Sequence, residues 1–177
     1  RRFVNADAGS IYLKDSENLI FSYTQNETLQ RKLPPNEKLA YMSFSLPIDE
    51  NSIAGFVAKT GRVLNIPDVR KLPATVPYHF NRSFDDRVGY LTKSVLTVPL
   101  KSAGGDVIGV LQIINAQDVN DKVIPFPPDE EKMLMHFANT AAVTLERAQL
   151  TRDIILRTIK MAEMRDPLET GAHVNRV

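Results

Sequence analysis

The densest apolar stretch of the chain runs from Ser94 to Ala116, SVLTVPLKSAGGDVIGVLQIINA. Two β-branched runs, Val95–Leu100 and Val107–Ile114, flank the polar segment Ser102-Ala103-Gly104-Gly105-Asp106. Glycine adopts positive φ without steric cost, so this segment predicts a tight hairpin turn. Both runs are apolar at nearly every position instead of every second one, which predicts strands covered on both faces and central in a sheet. Pro99 cannot donate to a ladder and is expected at a bulge or on an unpaired side of its strand.

Shorter β-rich runs precede the hairpin. Ser10–Asp15 and Leu19–Gln25 are joined by Ser16-Glu17-Asn18, a second hairpin signal. Residues 26–40, with Pro34-Pro35, read as a loop, and Met42–Leu46 as a short strand. Asp49 or Asn51 is placed to cap a helix through Ser52–Lys59, with Gly61 at its far end and apolar positions 53, 54, 57 and 58 on one face. Val63–Ile66 predicts another brief strand. Residues 68–93 are irregular in pattern, and a loop of that length in a compact domain is either functional or ordered in part by its own helical turns.

Beyond the hairpin, Pro125-Phe126-Pro127-Pro128 breaks the sheet and Asp129-Glu130-Glu131 opens a helix with acidic residues at its positive end. No breaker follows until Asp166-Pro167. Roughly 37 residues at ~1.5 Å rise give a helix on the order of 55 Å. Its apolar positions 134, 138, 141, 145, 148, 155, 159 and 162 step by four and three, with Arg152 as the interruption. Such a seam predicts a coiled coil and a homodimer through residues 129–166. The alternative is that the first turns pack on the sheet and the rest is a solvated linker, and both can hold in different parts.

Composition narrows the function classes. In 177 residues, 22 Lys plus Arg stand against 21 Asp plus Glu, so charge asks for neither nucleic acid nor an anionic membrane. Cysteine is absent, which excludes disulfides and thiol chemistry and suits a reducing, cytoplasmic setting. No apolar run reaches the ~20 residues that span a bilayer. The chain opens without methionine and stops in a polar segment, as expected for part of a longer protein.

The segments SIAGFVAKTGRVLNIPDVRK, FNRSFDDRVGYLTKSVLTVPL and GDVIGVLQIINA with the following FPPDEE resemble a GAF domain, most of all those of cyclic-nucleotide phosphodiesterases and cyclases. The resemblance covers about residues 1–148, the first helix being truncated. It implies an α+β fold, a six-stranded antiparallel sheet with packed helices and a long C-terminal helix. It also implies a ligand pocket between the sheet and the irregular segment, and control of a C-terminal output domain. By the resemblance Ser10, Ile53, Ala54 and Thr92 match pocket-lining positions. Gln25, Val88 and Gln112 stand at lining positions where the phosphodiesterase subset has an acid, a hydroxyl and an acid. Asn115, Phe126, Asp129 and Glu130 match a signature of that subset, in which Ala116 replaces a lysine.

The residues support a pocket on their own terms. A helix N-terminus at residues 51–54 presents free N–H groups suited to a phosphate or carboxylate. Thr92, Ser10 and Gln112 add hydrogen-bonding groups, and Phe84 or Tyr90 can cover an apolar ring. The plainer reading makes Ile53 and Ala54 core, Thr92 a strand cap and Tyr90 a packed lid residue. A cyclic nucleotide is one candidate ligand among several, while bilin lacks its cysteine. Asp85-Asp86 is read as turn and cap residues of a solvated loop, in preference to a catalytic pair. No catalytic site is expected in the first 150 residues.

The last residues, AEMRDPLETGAHVNRV from Ala162, resemble the opening of an HD-GYP phosphohydrolase domain. The resemblance implies that Glu169 and His173 are divalent-metal ligands in the complete parent. Spaced i, i+4, they share one helix face. A capping box from Asp166 and Pro167 to Glu169 explains that glutamate equally well. The resulting domain division is 1–128 sensor core, 129–166 signalling and dimerisation helix, and 167–177 start of the output domain. The functional expectation is a bacterial signal-transduction module that senses a small molecule and controls a cyclic di-GMP phosphodiesterase-like phosphohydrolase. The alternative is a ligand-free dimerisation scaffold for that output domain.

Overall fold

A computed structural model describes residues 5–33 and 45–165, with side chains through Ala162. The sheet runs β3-β2-β1-β6-β5-β4 and is antiparallel at every pairing. Its strands are β1 (Ala6–Asp15), β2 (Asn18–Asn26), β3 (Ser45–Pro47), β4 (Leu64–Ile66), β5 (Val95–Lys101) and β6 (Val107–Gln117). A two-residue β7 (Val123–Ile124) pairs with the end of β6. The helices are α1 (Glu27–Arg31), α2 (Ile53–Thr60), α3 (Ser83–Val88) and α4 (Pro128–Arg165). This is the antiparallel α+β architecture that the resemblance implied.

The β5–β6 hairpin is central, as its unbroken apolar runs required. In β5 the side chains of Val95 and Thr97 face one way, and those of Leu96, Val98 and Leu100 the other, all at most 1% exposed. Gly105 takes φ 91 in the turn, and Ser102 closes the turn by accepting the Gly105 N–H at its carbonyl. Pro99 pairs with Val110 past the end of β4, whose ladder stops at Thr97, so the outer side of β5 has no partner strand there.

Directly paired residues on neighbouring strands share a face. On one face Tyr12 and Val110 pack with Ala54, Val57 and Ala58 of α2, and Val95 packs with Ile53. On the other, Ile11, Leu111 and Ile113 line a groove with Leu134 of α4. Gly55 allows α2 its close approach, because a Cβ there would lie 2.6 Å from the Pro47 carbonyl oxygen and 2.8 Å from that of Asp49.

Several local expectations are corrected. Ser52, not Asp49 or Asn51, caps α2, its hydroxyl accepting from Gly55 N–H at 2.9 Å. Asp49 instead accepts from the N–H and the side-chain amide of Asn51. The expected 26–40 loop contains α1, nucleated where Asn26 Oδ1 accepts from Leu29 N–H at 2.8 Å. The irregular 68–93 stretch holds a 3-10 turn, Val69–Lys71, and α3. The 42–46 strand falls partly outside the described residues, the remainder being β3.

Chain contacts divide the protein into a unit ending at Ala142 and a second from Val143. The first thus includes the opening turns of α4, where Leu134, Ala138 and Ala142 are all at most 4% exposed. The start of the heptad series is therefore core. In the second unit Leu150, Ile154, Ile155, Leu156 and Met161 are more than half exposed. No helix among the described residues is long and apolar enough to cross a membrane.

Candidate functional site

The α2 face of the sheet carries a polar row that crosses four strands. Thr24, Ser10, Gln112 and Thr97 are successive register partners on β2, β1, β6 and β5. The Thr24 hydroxyl donates to the Gly9 carbonyl at 3.2 Å and meets the Ser10 hydroxyl at 3.1 Å. Gln112 Nε2 donates to Thr97 Oγ1 at 3.0 Å. None of the four carries a charge. Next to the row, burial pushes the Tyr12 phenol up to about 12, against a smaller opposing effect of its hydrogen bond with Ser10.

Residues 69–94 form a lid with two buried carboxylates at its end, Asp85 tying the segment to itself and Asp7 fastening it to the sheet. Asp85, 3% exposed, accepts from Arg70 Nη2 at 2.5 Å, from Thr92 N–H at 2.9 Å and from the Thr92 hydroxyl at 2.7 Å. Arg70 Nε donates to the Thr92 carbonyl at 3.0 Å. Asp7, on β1, accepts the Tyr90 hydroxyl at 2.6 Å and the N–H and hydroxyl of Thr28 at 3.2 and 2.9 Å. Burial, and then the adjacent Asp7 carboxylate, hold the Tyr90 phenol far above its ordinary value, so it is the donor.

Asn115 completes the fastening from β6. Its Nδ2 donates to the Tyr90 oxygen at 3.0 Å and to the Leu91 carbonyl at 2.8 Å, while its Oδ1 accepts Lys93 N–H at 2.8 Å. To do this it sits at φ 58, a left-handed conformation that asparagine tolerates better than most residues.

The expected pocket residues take three different positions. Ser10 and Gln112 join the polar row. Ile53 and Ala54 are 4% and 3% exposed and packed in apolar clusters, Thr92 is engaged by Asp85, and Tyr90 by Asp7. Val88 is half-buried beside Ala8, Leu29 and Tyr90. Gln25 pairs with Gly9, one step from Ser10, and so faces the opposite groove. Asp85 is not the solvated turn residue expected, because three donors accompany it inward; Asp86 is exposed. Glu169 and His173 lie outside the described residues.

Asp7, Arg70, Thr24 and Thr97 were missed. An aspartate within the β-rich ADAGS run was the available signal, since a charge in a strand demands a partner.

Two hollows stand out among the described residues. One, of roughly 400 Å³, is the groove on the α4 side, walled by Tyr23, Gln25, Met133 and Phe137. The other, of roughly 240 Å³, lies in the lid among Arg70, Leu72, Tyr78, His79, Phe80 and Arg82. In the signature segment Phe126 is buried, Asp129 is exposed, and Ala116 is buried where the subset has lysine. Glu130 Oε2 is buried without a hydrogen-bond partner among the described residues, and burial raises its pKa.

A central antiparallel sheet, one helix on the lid face and a long helix leaving the other face accord with the family model named GAF domain, which matches residues 1–145. The chain belongs to the GAF domain family. Such domains occur in sensor and signalling proteins, phosphodiesterases included. This GAF domain is 39% identical over 98 residues to the dual 3',5'-cyclic-AMP and -GMP phosphodiesterase 11 of Drosophila melanogaster, covering 55% of the chain and 6% of that protein. It is 32% identical over 156 residues to the probable 3',5'-cyclic phosphodiesterase pde-5 of Caenorhabditis elegans, covering 85% of the chain and 19% of that protein. The chain therefore spans less than a fifth of the length of either relative. Among solved structures, a methyl-accepting chemotaxis protein superposes with TM-score 0.60 at 18% identity, over 82% of this chain and 81% of that one. At that identity the likeness concerns the fold.

Proposed function

We propose that this GAF domain is a non-catalytic regulatory module that senses a small molecule at the lid face and acts through α4 on a C-terminal metal-dependent phosphohydrolase of the HD-GYP type. The carrying observation is the fastening of the lid: Tyr90, Leu91 and Lys93 all bond to Asn115, close before the β7–α4 connection. A ligand that favours one lid arrangement can shift an equilibrium in the elements joined to it. The uncharged row of Ser10, Thr24, Thr97 and Gln112 supplies donors and acceptors, with Ile53, Ala54, Val88, Tyr90, Thr92 and Gln25 as the remaining candidate contacts. A cyclic nucleotide is the ligand class that the phosphodiesterase relatives suggest, although no acid lies in the row to read a base edge.

The reading extends to a homodimer through α4, favoured by the exposed apolar residues from Leu150 to Met161. Glu169 and His173 would hold a divalent metal only in the complete parent, with bacterial, cytoplasmic signalling as the setting. The burial of Ile53 and Ala54 favours a second reading, a scaffold whose pocket is collapsed. Native mass spectrometry of freshly purified protein separates the two. A bound mass released by denaturation supports the sensor; apo protein that binds neither cyclic AMP nor cyclic GMP in calorimetry supports the scaffold.

A further inference from the structure

We propose that Tyr90 is a latch: releasing its hydroxyl from Asp7 and Asn115 frees the end of the lid, residues 83–93, as one unit and reaches β6 at Asn115 while α2 and the β1–β2 hairpin stay folded. This deepens the sensor reading and rests on it for its biological meaning, since a lid that opens as a unit is what a ligand beneath it would regulate.

The bond pattern carries the argument. The buried long-range side-chain anchors at the lid's end converge on two residues of the sheet, Asp7 and Asn115, with one exposed bond besides, from Lys32 Nζ to the Gly89 carbonyl at 3.2 Å. Tyr90 Oη reaches Asp7 at 2.6 Å, a bond spanning 83 positions of sequence, and receives Asn115 Nδ2 at 3.0 Å. Within the lid, Asp85 ties α3 to Thr92 and Arg70, so that α3, residues 89–92 and the 3-10 turn cohere when the outer bonds part. Gly89, at φ 62, ends α3 and has no atom within 4 Å of the place its Cβ would occupy, leaving the chain reversal before Tyr90 unobstructed. The apolar contacts of this end are few. Tyr90 and Val88 touch Ala8, Leu29 and Ile114, whereas Phe84 and Leu91 are 48% and 62% exposed. A segment held by a few polar bonds and little buried apolar area opens below the global unfolding energy.

The route onward is covalent and short. Asn115 N–H donates to the Ser94 carbonyl at 2.7 Å and Ala116 N–H to the Ser94 hydroxyl at 3.1 Å. Ala116 also pairs with Ile124 of β7, which precedes the buried Phe126 and the start of α4. Loss of the Tyr90 bond thus loosens Asn115, which holds the lid exit at Lys93 and directly precedes Ala116, the partner of Ile124 in β7.

The test is hydrogen exchange at residue resolution on the 177-residue chain, comparing wild type with Tyr90→Phe. The phenylalanine keeps the ring in place and removes only the hydroxyl. Removal of a bond to a charged acceptor should speed exchange at the Lys93 and Asn115 amides, whose bonds join the lid's end to β6, by about tenfold or more. The amides of α2 and of residues 18–24 should exchange at the wild-type rate. Should Tyr90→Phe fail to fold, Asp7→Asn is read the same way, with the Thr28 amide added to the responding set. Unchanged lid amides, a rise confined to the lid that leaves Asn115 untouched, or a uniform rise across the chain would each overturn the latch. None of these measurements uses a ligand, so failure of the latch is distinct from failure of the sensor reading, which native mass spectrometry decides.

Discussion

Arg70 Nη2 lies 2.5 Å from Asp85 Oδ2, and the aspartate side chain is 3% exposed while the arginine side chain is 26% exposed. The pair crosses the lid from its first turn to its last helix. Breaking one side of a buried pair leaves the other desolvated and alone, which costs more than the pair itself contributes. Asp85→Ala removes the acceptor of three bonds and leaves the buried Thr92 N–H and hydroxyl unpaired, so it is expected to destabilise the protein by about 2–4 kcal/mol, whereas Arg70→Ala leaves Asp85 its two Thr92 donors and should cost less. Urea unfolding of the two variants checks the order, and an Arg70 loss exceeding the Asp85 loss would count against it.

The same pair shows where sequence reading stops. The β5–β6 hairpin was legible because both runs are apolar at consecutive positions, and the structure buries both faces of β5. The α2 helix was legible from the 53, 54, 57, 58 spacing, though its cap was misassigned among neighbouring polar residues. Asp85 was not legible. Its burial is decided by Arg70 and Thr92, fifteen and seven positions away, and no local period encodes such partners. Ser10 and Gln112 were picked out by resemblance, yet their arrangement with Thr24 and Thr97 is a property of register, which a single sequence leaves open.

Tyr12 gives an alkaline signature. Its phenol is pushed from 10.0 to about 12 by burial, so the folded state holds the proton that the unfolded state loses first. A raised folded value contributes stability below the unfolded pKa that is lost as pH rises. Stability should thus be level up to about pH 10 and fall between there and about 12, and Tyr12→Phe should lessen the slope in that window. Chemical denaturation at a series of alkaline pH values, with phenolate absorbance followed in parallel, tests this; an unchanged slope in the variant would refute it.

Glu130 gives a signature of opposite origin. Its Oε2 is buried and unpartnered among the described residues, and burial raises its pKa, so the folded state favours the protonated acid. The stabilisation it contributes is present below the ordinary glutamate range and lost as pH rises through the raised value. The side chain is only partly buried, so the effect is small. Glu130→Gln should raise stability at neutral pH by a few tenths to about 1 kcal/mol and should be neutral in acid. Equal effects at both pH values would place the cause elsewhere than in the carboxylate.

The last prediction concerns the second unit. Leu134 and Ala138, the first members of the four-three series, are buried within the unit that ends at Ala142, and so cannot meet a partner helix without undoing that core. Association, if the heptad reading holds, must use residues beyond it. Ile155 is 53% exposed and on the series, whereas Leu150 is 63% exposed and off it. A lysine at a seam position places a charge in the interface, while one outside the seam stays in water. Ile155→Lys should therefore shift sedimentation at tens of micromolar towards monomer, and Leu150→Lys should leave it near wild type. Arg152 interrupts the seam between them, so spin labels at 149 and 160 should report different interhelix spreads on its two sides. If both lysine variants sediment as wild type does, the exposed apolar residues of α4 serve some purpose other than pairing this chain with itself.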